Sequence, residues 1–250
     1  MQKNEREREI LSILSDNNGF ISVRELCGKL YASESSVRRD LTVLESRGII
    51  RRTHGGAELI NNFSKVVAFS KRSHHNSEAK RSIAKKAATL IRDGNVVFLD
   101  QSSTSFYLAN EIMHNNTLTV ITNNIEILSL MSDTGIKTLS SGGVLYSENR
   151  VCLVGTDAEY IFKNSFADIM FFSVKSLSED GSLWDPSREE VLVRNAMLGN
   201  SAKKVFLCDS EKFGTMSTYK QCTLDDIDVL VSENDDAKRF KTAAKNLTVM

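Results

Sequence analysis

Six short apolar runs constrain this chain more than anything else in it. They are "VVFL" at 96–99, "LTVI" at 118–121, "IKTL" at 136–139, "DIMFFSV" at 168–174, "KVFLC" at 204–208 and "DVLV" at 228–231. Helix-length segments separate most of them. A strand that faces water on one side alternates polar and apolar residues, whereas a continuously apolar strand must be covered on both faces. Such runs alternating with helices specify an α/β domain built on a mostly parallel open sheet.

In a parallel sheet the carboxyl ends of the strands share one edge, and open α/β domains bind ligands there. Polar residues follow the runs in this sequence. Asp100, Ser102, Ser103, Thr104 and Ser105 come after the first, Asn123 after the second, and Gly142 and Gly143 after the third. Lys175 closes the fourth, and Asp209 with Lys212 follows the fifth. Hydroxyls, glycine amides and lysines gathered at one edge suit a phosphorylated, polyhydroxylated small molecule. A carboxylate such as Asp100 accepts sugar hydroxyls. Singly, each has a plainer meaning: the Ser/Thr cluster as a helix cap, "SGG" as a turn, Lys212 as a surface lysine. Their common position at strand ends favours a binding site.

No G-x-G-x-x-G or P-loop pattern occurs, so no nucleotide cofactor is expected. Cys27, Cys152, Cys208 and Cys222 are far apart, without His at ligand spacing. They are expected to be buried thiols rather than metal ligands. His74 and His75 are adjacent and cannot share a helix face, so no metal is expected there either. No apolar run is long enough to span a bilayer and "MQKNEREREIL" lacks a signal-peptide core, so the expected location is the cytoplasm.

Net charge is zero, from 32 basic and 32 acidic residues, but it is unevenly spread. Residues 1–92 hold 18 Lys/Arg against 10 Asp/Glu, a net of +8, and residues 93–250 hold 14 against 22, a net of −8. A basic front and an acidic back suggest that the front meets a polyanion.

The front reads as a winged helix-turn-helix. A first helix over Glu5–Asp16 carries Ile10, Leu11 and Leu14 on one face. Ser22 caps a second helix with Val23, Leu26, Cys27 and Leu30 inward, and Ser33 caps a third that ends near Ser46. On the third, Val37, Leu41 and Leu44 form the inward stripe, while Ser35, Arg38, Arg39 and Thr42 point away. That outward face is expected to lack the acid–base pairs of a merely solubilising helix, leaving planar donors for guanine edges or phosphates. A short strand with Arg51 and Arg52 leads into "THGG", whose glycines let the backbone approach a phosphate. Ser22, Ser33, Ser35, Ser36, Arg38, Arg39, Thr42, Arg51, Arg52, His54, Gly55 and Gly56 are the candidate DNA contacts. Helix-turn-helix modules commonly act as symmetric dimers on double-stranded DNA, so a homo-oligomer is expected.

The stretch "ISVRELCGKLYASESSVRRDLTVLESRGIIRRTHGGAEL" resembles the N-terminal domain of the DeoR family of bacterial transcriptional regulators. Further on, "FLDQSSTS", "VITNN", "LSSGG", "LVG" and "LCDSEKFG" are similar to blocks of that family's effector domain, which shares its fold with sugar-phosphate isomerases. The resemblance implies a regulator, most often a repressor, that answers to a sugar phosphate or related metabolite. It implies DNA contacts at Ser35, Ser36, Arg38, Arg39, His54, Gly55 and Gly56. It also implies effector contacts at Asp100, Ser102, Ser103, Thr104, Asn123, Gly142, Gly143 and Lys212. Where many members carry Gly-Val-Asp-Gly, this chain has "SVKS", and Lys175 in place of an acid favours a more anionic ligand. The expected organisation is a DNA-binding domain at 1–57, a basic linker at 58–77 and an effector domain at 78–250. Two other readings remain at this point: a sugar-phosphate isomerase fused to a DNA-binding domain, and a DNA-binding protein with a purely structural back end.

Overall fold

The computed structural model describes residues 3–16, 20–47, 49–53, 55–59, 69 and 72–250. Two compact units emerge, one of residues 1–75 with 147–150 and one of residues 76–146 with 151–250. No helix among the described residues is long and apolar enough to cross a membrane.

The first unit runs α1 (Lys3–Asp16), β1 (Phe20–Ser22), α2 (Val23–Leu30), α3 (Glu34–Ser46), β2 (Ile50–Thr53) and β3 (Gly56–Leu59). The strands form an antiparallel sheet in the order β1-β3-β2, which completes a winged helix. Local chemistry starts both inner helices. Ser22 and Glu25 form a reciprocal capping box on α2, and the Ser33 hydroxyl accepts from the Ser36 amide on α3. Ile10, Leu14, Leu26, Val37, Leu41, Leu44 and Ile50 pack into one core. Asp40 is also buried there, paired with Arg6 of α1.

β3 continues to Leu59, two residues into the stretch expected as linker, and Glu58 stands opposite Arg51. Phe69 is buried, with the Arg72 guanidinium 5.6 Å from its ring centroid. Arg72 also donates to Asn149 Oδ1 at 2.8 Å, which ties residues 147–150 to this unit.

The second unit contains α4 (Ser77–Ala88), β4 (Val96–Leu99), α5 (Ser103–Ile112), β5 (Thr119–Thr122), α6 (Ile125–Met131) and β6 (Lys137–Ser140). β7 (Val144–Leu145), β8 (Leu153–Val154), α7 (Thr156–Lys163), β9 (Ile169–Phe172), β10 (Ser176–Leu177) and β11 (Ser182–Asp185) follow. The chain ends through α8 (Arg188–Gly199), β12 (Lys204–Leu207), β13 (Tyr219–Thr223), β14 (Val229–Val231) and β15 (Thr248–Val249).

The main sheet has seven parallel strands in the order β15-β14-β12-β9-β4-β5-β6. All six apolar runs become strands of it, and β15 is the seventh. Successive residues feed opposite cores, as period-2 geometry demands. Phe98, Met170, Phe172 and Phe206 lie in one cluster, and Val97, Leu99, Phe171 and Val205 in the other. In this unit the antiparallel strands form a β10-β11-β13 sheet and a β7-β8 pair. Cys152 and Cys208 are buried as expected, whereas Cys27 and Cys222 are only partly so.

The strand order fixes where a ligand fits. From β4 the chain steps through β5 and β6 to one side, and from β9 through β12, β14 and β15 to the other. The crossover connections therefore diverge between β4 and β9. In open α/β sheets that divergence opens a crevice at the carboxyl ends. Asp100 follows β4 and Ser173 follows β9.

Candidate functional site

In the first unit, α3 presents Ser35, Arg38, Arg39 and Thr42 to solvent, with Ser36 partly exposed. These residues are not equivalent. Arg38 Nε donates to Glu34 Oε1 at 2.8 Å, an i,i+4 ion pair, so the helix does carry the kind of pair its outward face was expected to lack. No described residue pairs with Arg39. Thr42 Oγ1 donates to the Arg38 carbonyl at 2.9 Å and accepts from Arg52 Nη1 at 3.0 Å, which ties the wing to the helix. The Arg52 amide donates to Glu45 Oε1 at 2.9 Å. Arg51 faces Glu58 at 3.4 Å across the hairpin, both exposed, a pair worth little to stability. The Ser22 hydroxyl donates to Glu25 Oε2 at 2.7 Å and is occupied by its cap.

Gly55 has φ +92° with open space where a Cβ would stand, as a wing turn requires. Gly56 has a different cause from the one expected. It is buried, and a Cβ there would lie 2.6 Å from the Ile21 carbonyl oxygen, so its bareness serves the approach of β1 to β3 rather than of DNA. His54 lies outside the described residues.

In the second unit the site is built from strand ends. The Ser102 hydroxyl caps α5 by accepting from the Ser105 amide at 3.1 Å. The first-turn amides of Ser103 and Thr104 have no carbonyl of their own helix to serve. Neither of these two hydroxyls bonds to another described residue. On the other side of the switch point, Lys212 Nζ donates to Ser173 Oγ at 2.6 Å and pairs with Asp209 Oδ2 at 3.2 Å. Burial alone pushes the Asp209 carboxyl up, but Lys212, Lys80 and Asn76 outweigh it and hold the carboxyl below its ordinary value.

Asp100 is not the open acceptor expected for sugar hydroxyls. It is fully buried. Oδ1 accepts from the Ser102 amide at 3.1 Å and Ser105 Oγ at 2.7 Å, and Oδ2 from the Ser173 amide at 3.2 Å and Arg194 Nε at 2.9 Å. Four donors from the protein use its lone pairs, so it organises the loops after β4 and β9. Ser105 is likewise turned inward. Asn123 is buried, donating to Gln101 Oε1 at 3.2 Å and to the Leu153 carbonyl at 3.1 Å. Gly142 and Gly143 are exposed at φ +67° and +97°; the Gly142 amide already donates to Ser140 Oγ at 3.2 Å. A Cβ on Gly143 would lie 2.6 Å from the Val154 carbonyl oxygen. Lys175 is exposed in the turn between β9 and β10.

Arg194 of α8 is the residue that sequence reading missed. It is buried and reaches Asp100, Asp185 Oδ2 at 3.1 Å, Glu190 Oε2 at 3.1 Å and Gln221 Oε1 at 3.1 Å. Burial disfavours its charge, but the three carboxylates outweigh that and raise its pKa. Burial also pushes the Asp185 carboxyl up, against the pull of Arg194. The one local signal was Glu190 and Arg194, four apart on a helix with Val191, Val193 and Met197.

A winged helix with an exposed arginine on its third helix, carried with an α/β unit whose switch point is flanked by the buried N-terminus of α5, defines a ligand-responsive DNA-binding regulator. Residues 6–63 match the DeoR-like helix-turn-helix domain, and residues 75–234 match the DeoR C terminal sensor domain. The chain belongs to the DeoR family. It is 35% identical to the HTH-type transcriptional regulator GolR of Listeria innocua, over 92% of this chain and 90% of that protein. It is 33% identical to the L-fucose operon activator of Haemophilus influenzae, over 99% and 100%. Identity to the lactose phosphotransferase system repressor of Staphylococcus aureus is 30%, over 100% of both chains. A ribose 5-phosphate isomerase A from Methanocaldococcus jannaschii aligns over 55% of each chain at a TM-score of 0.41 and 22% identity, too low to add to the fold described above. The protein is therefore a DNA-binding transcriptional regulator with a small-molecule sensor domain.

Proposed function

We propose that the protein represses a sugar-metabolism operon from the cytoplasm as a homo-oligomer and is released from, or modulated at, its operator by a sugar phosphate. The observation that carries this reading is the sheet switch point. There the α5 N-terminus, with the hydroxyls of Ser103 and Thr104, stands on one side and Lys212 with Ser173 on the other. A helix N-terminus and an ammonium both favour an anion. Asp100 and Arg194 hold the two sides in register. The ammonium of Lys175, which has no partner among the described residues, adds positive charge after β9 and favours a ligand with more than one anionic group. Relatives include both an activator and a repressor. Repression is the simpler mode for a ligand that loosens DNA binding.

The DNA contacts follow the same logic. Arg39 supplies a planar fork to base edges, and Ser33, Ser35 and Ser36 supply hydroxyls at the N-terminal end of α3, the end that reads bases in helix-turn-helix proteins. Arg38 and Arg52, linked through Thr42, and Arg51 on the same strand as Arg52, form a rim suited to phosphates.

The test of the effector is a thermal-shift panel that pairs sugars with their phosphates. A ligand that binds only the folded state stabilises it by about 2.7 kcal/mol at a hundredfold excess over Kd. Some phosphates are expected to raise the midpoint while their parent sugars do not, and Lys175→Asp is expected to change which phosphate is best. Equal shifts by free sugars would remove the anion site.

A further inference from the structure

Tyr31 ends α2 in the left-handed region, at φ 49° and ψ 39°, and its side chain is 96% exposed. Each fact is unfavourable alone. A helix C-terminus of this kind is ordinarily filled by Gly or Asn, because a Cβ in the left-handed region crowds the following carbonyl. A bulky residue there is uncommon. An aromatic ring with nearly all its surface in water gains no burial to offset that strain, and no described residue bonds to its hydroxyl. Among the described residues, Tyr31 has a cost and no compensation.

Its position supplies one. Tyr31 stands two residues before Ser33, the cap of α3, and so borders the hydroxyl-rich N-terminal turn of Ser33, Ser35 and Ser36. The N-terminal end of the recognition helix enters the major groove, and what precedes it meets the groove's phosphate lip. A phenol donates one hydrogen bond and carries no charge. Resting on the DNA-reading role of α3, we propose that Tyr31 is a positioning residue for DNA binding, donating its hydroxyl to a backbone phosphate beside the bases that α3 reads. Strain is then retained because the left-handed turn aims the ring away from the protein.

Two substitutions separate this from a structural role. Tyr31→Phe keeps the backbone and ring but removes the donor. Tyr31→Asn replaces the phenol with a shorter amide that does not extend to the same phosphate, and installs a residue that tolerates the left-handed region. The probe is a duplex selected by the parent full-length chain from a random-sequence pool, titrated at fixed salt. Both variants are expected to bind about tenfold more weakly, since hydrogen bonds to charged groups are among the stronger ones. The loss is expected to be equal on selected and scrambled duplexes, because a phosphate contact carries no sequence information. In Tyr31→Asn, amides of α2 and α3 are expected to exchange with solvent about fivefold more slowly, as relieved strain stabilises the unit while binding falls. Parent-like affinity in Tyr31→Phe, alongside a loss in Arg39→Ala, overturns the role of Tyr31 alone. Parent-like affinity in both overturns it together with the reading face of α3. Exchange that is unchanged or faster in Tyr31→Asn overturns the strain on which the inference rests.

Discussion

Arg38 and Arg39 are neighbours in sequence but stand in different electrostatic states. Arg38 is paired with Glu34 on the exposed face, and Arg39 has no partner among the described residues. DNA must displace Glu34 to use Arg38 fully, whereas Arg39 is ready. Arg39→Ala is therefore expected to cost roughly 1–3 kcal/mol of DNA affinity and Arg38→Ala less, read by titration at fixed salt. The reverse order would mean that the free guanidinium is not the reading group. Asp100 carries the second expectation at this scale. Removing it takes one of three carboxylates from the buried Arg194 and leaves the buried donors of Ser102, Ser105 and Ser173 without their acceptor, so Asp100→Ala is expected to destabilise the second unit by about 3–5 kcal/mol in denaturant. Loss of effector response in that variant would then report unfolding as much as lost contact. The caps at Ser22 and Ser33 were legible because a cap is satisfied within three residues. Asp40 and Arg194 were not, because Arg6 lies 34 positions from Asp40 and Asp100 lies 94 from Arg194.

Strands of the main sheet were legible because doubly covered strands need apolar runs; β6, at the sheet edge with no buried residue, is the weakest of the six. β15 is two residues long and carries no run to read. The β10-β11-β13 sheet escaped for another reason. Its strands carry no unbroken apolar run, and their pairing joins segments as distant as Leu183 and Cys222. Glycines were legible as punctuation but not in purpose: Gly55 turns the wing, while Gly56 makes room for Ile21. The β12 end yields a pH prediction. Because the Asp209 carboxyl is held below its ordinary value, its stabilising contribution is present at neutral pH. It is lost as pH falls through that lowered value. Asp209→Asn is expected to flatten the acid limb of a plot of denaturation midpoint against pH. An acid limb as steep as that of the parent would place the linkage elsewhere.

For the whole molecule, two units have separate cores, HTH in one and sensor in the other, but the charge division at residue 92 falls inside the second, which holds Lys80, Arg81, Lys85, Lys86 and Arg92. That the chain has two parts was legible in the change of hydrophobic period, but the place of the boundary was not, since the basic stretch runs on through α4. The convergence of Asp100, Ser173 and Lys212 was not legible either, because it depends on strand order, which no run of residues encodes locally. A regulator of this kind works only if ligand and DNA report on each other. Coupling between two sites is typically worth about 1–3 kcal/mol, a factor of about 5–150 in affinity. The most direct measurement is the affinity of the full-length protein for its selected duplex, at fixed salt, with and without saturating sugar phosphates from the thermal-shift panel. Parent protein is expected to change affinity by a factor in that range with at least one phosphate. Lys212→Ala is expected to bind the duplex as the parent does and to lose that response. An affinity indifferent to every phosphate that stabilises the protein, or a full response in Lys212→Ala, would contradict a sugar-phosphate switch at the β4–β9 crevice.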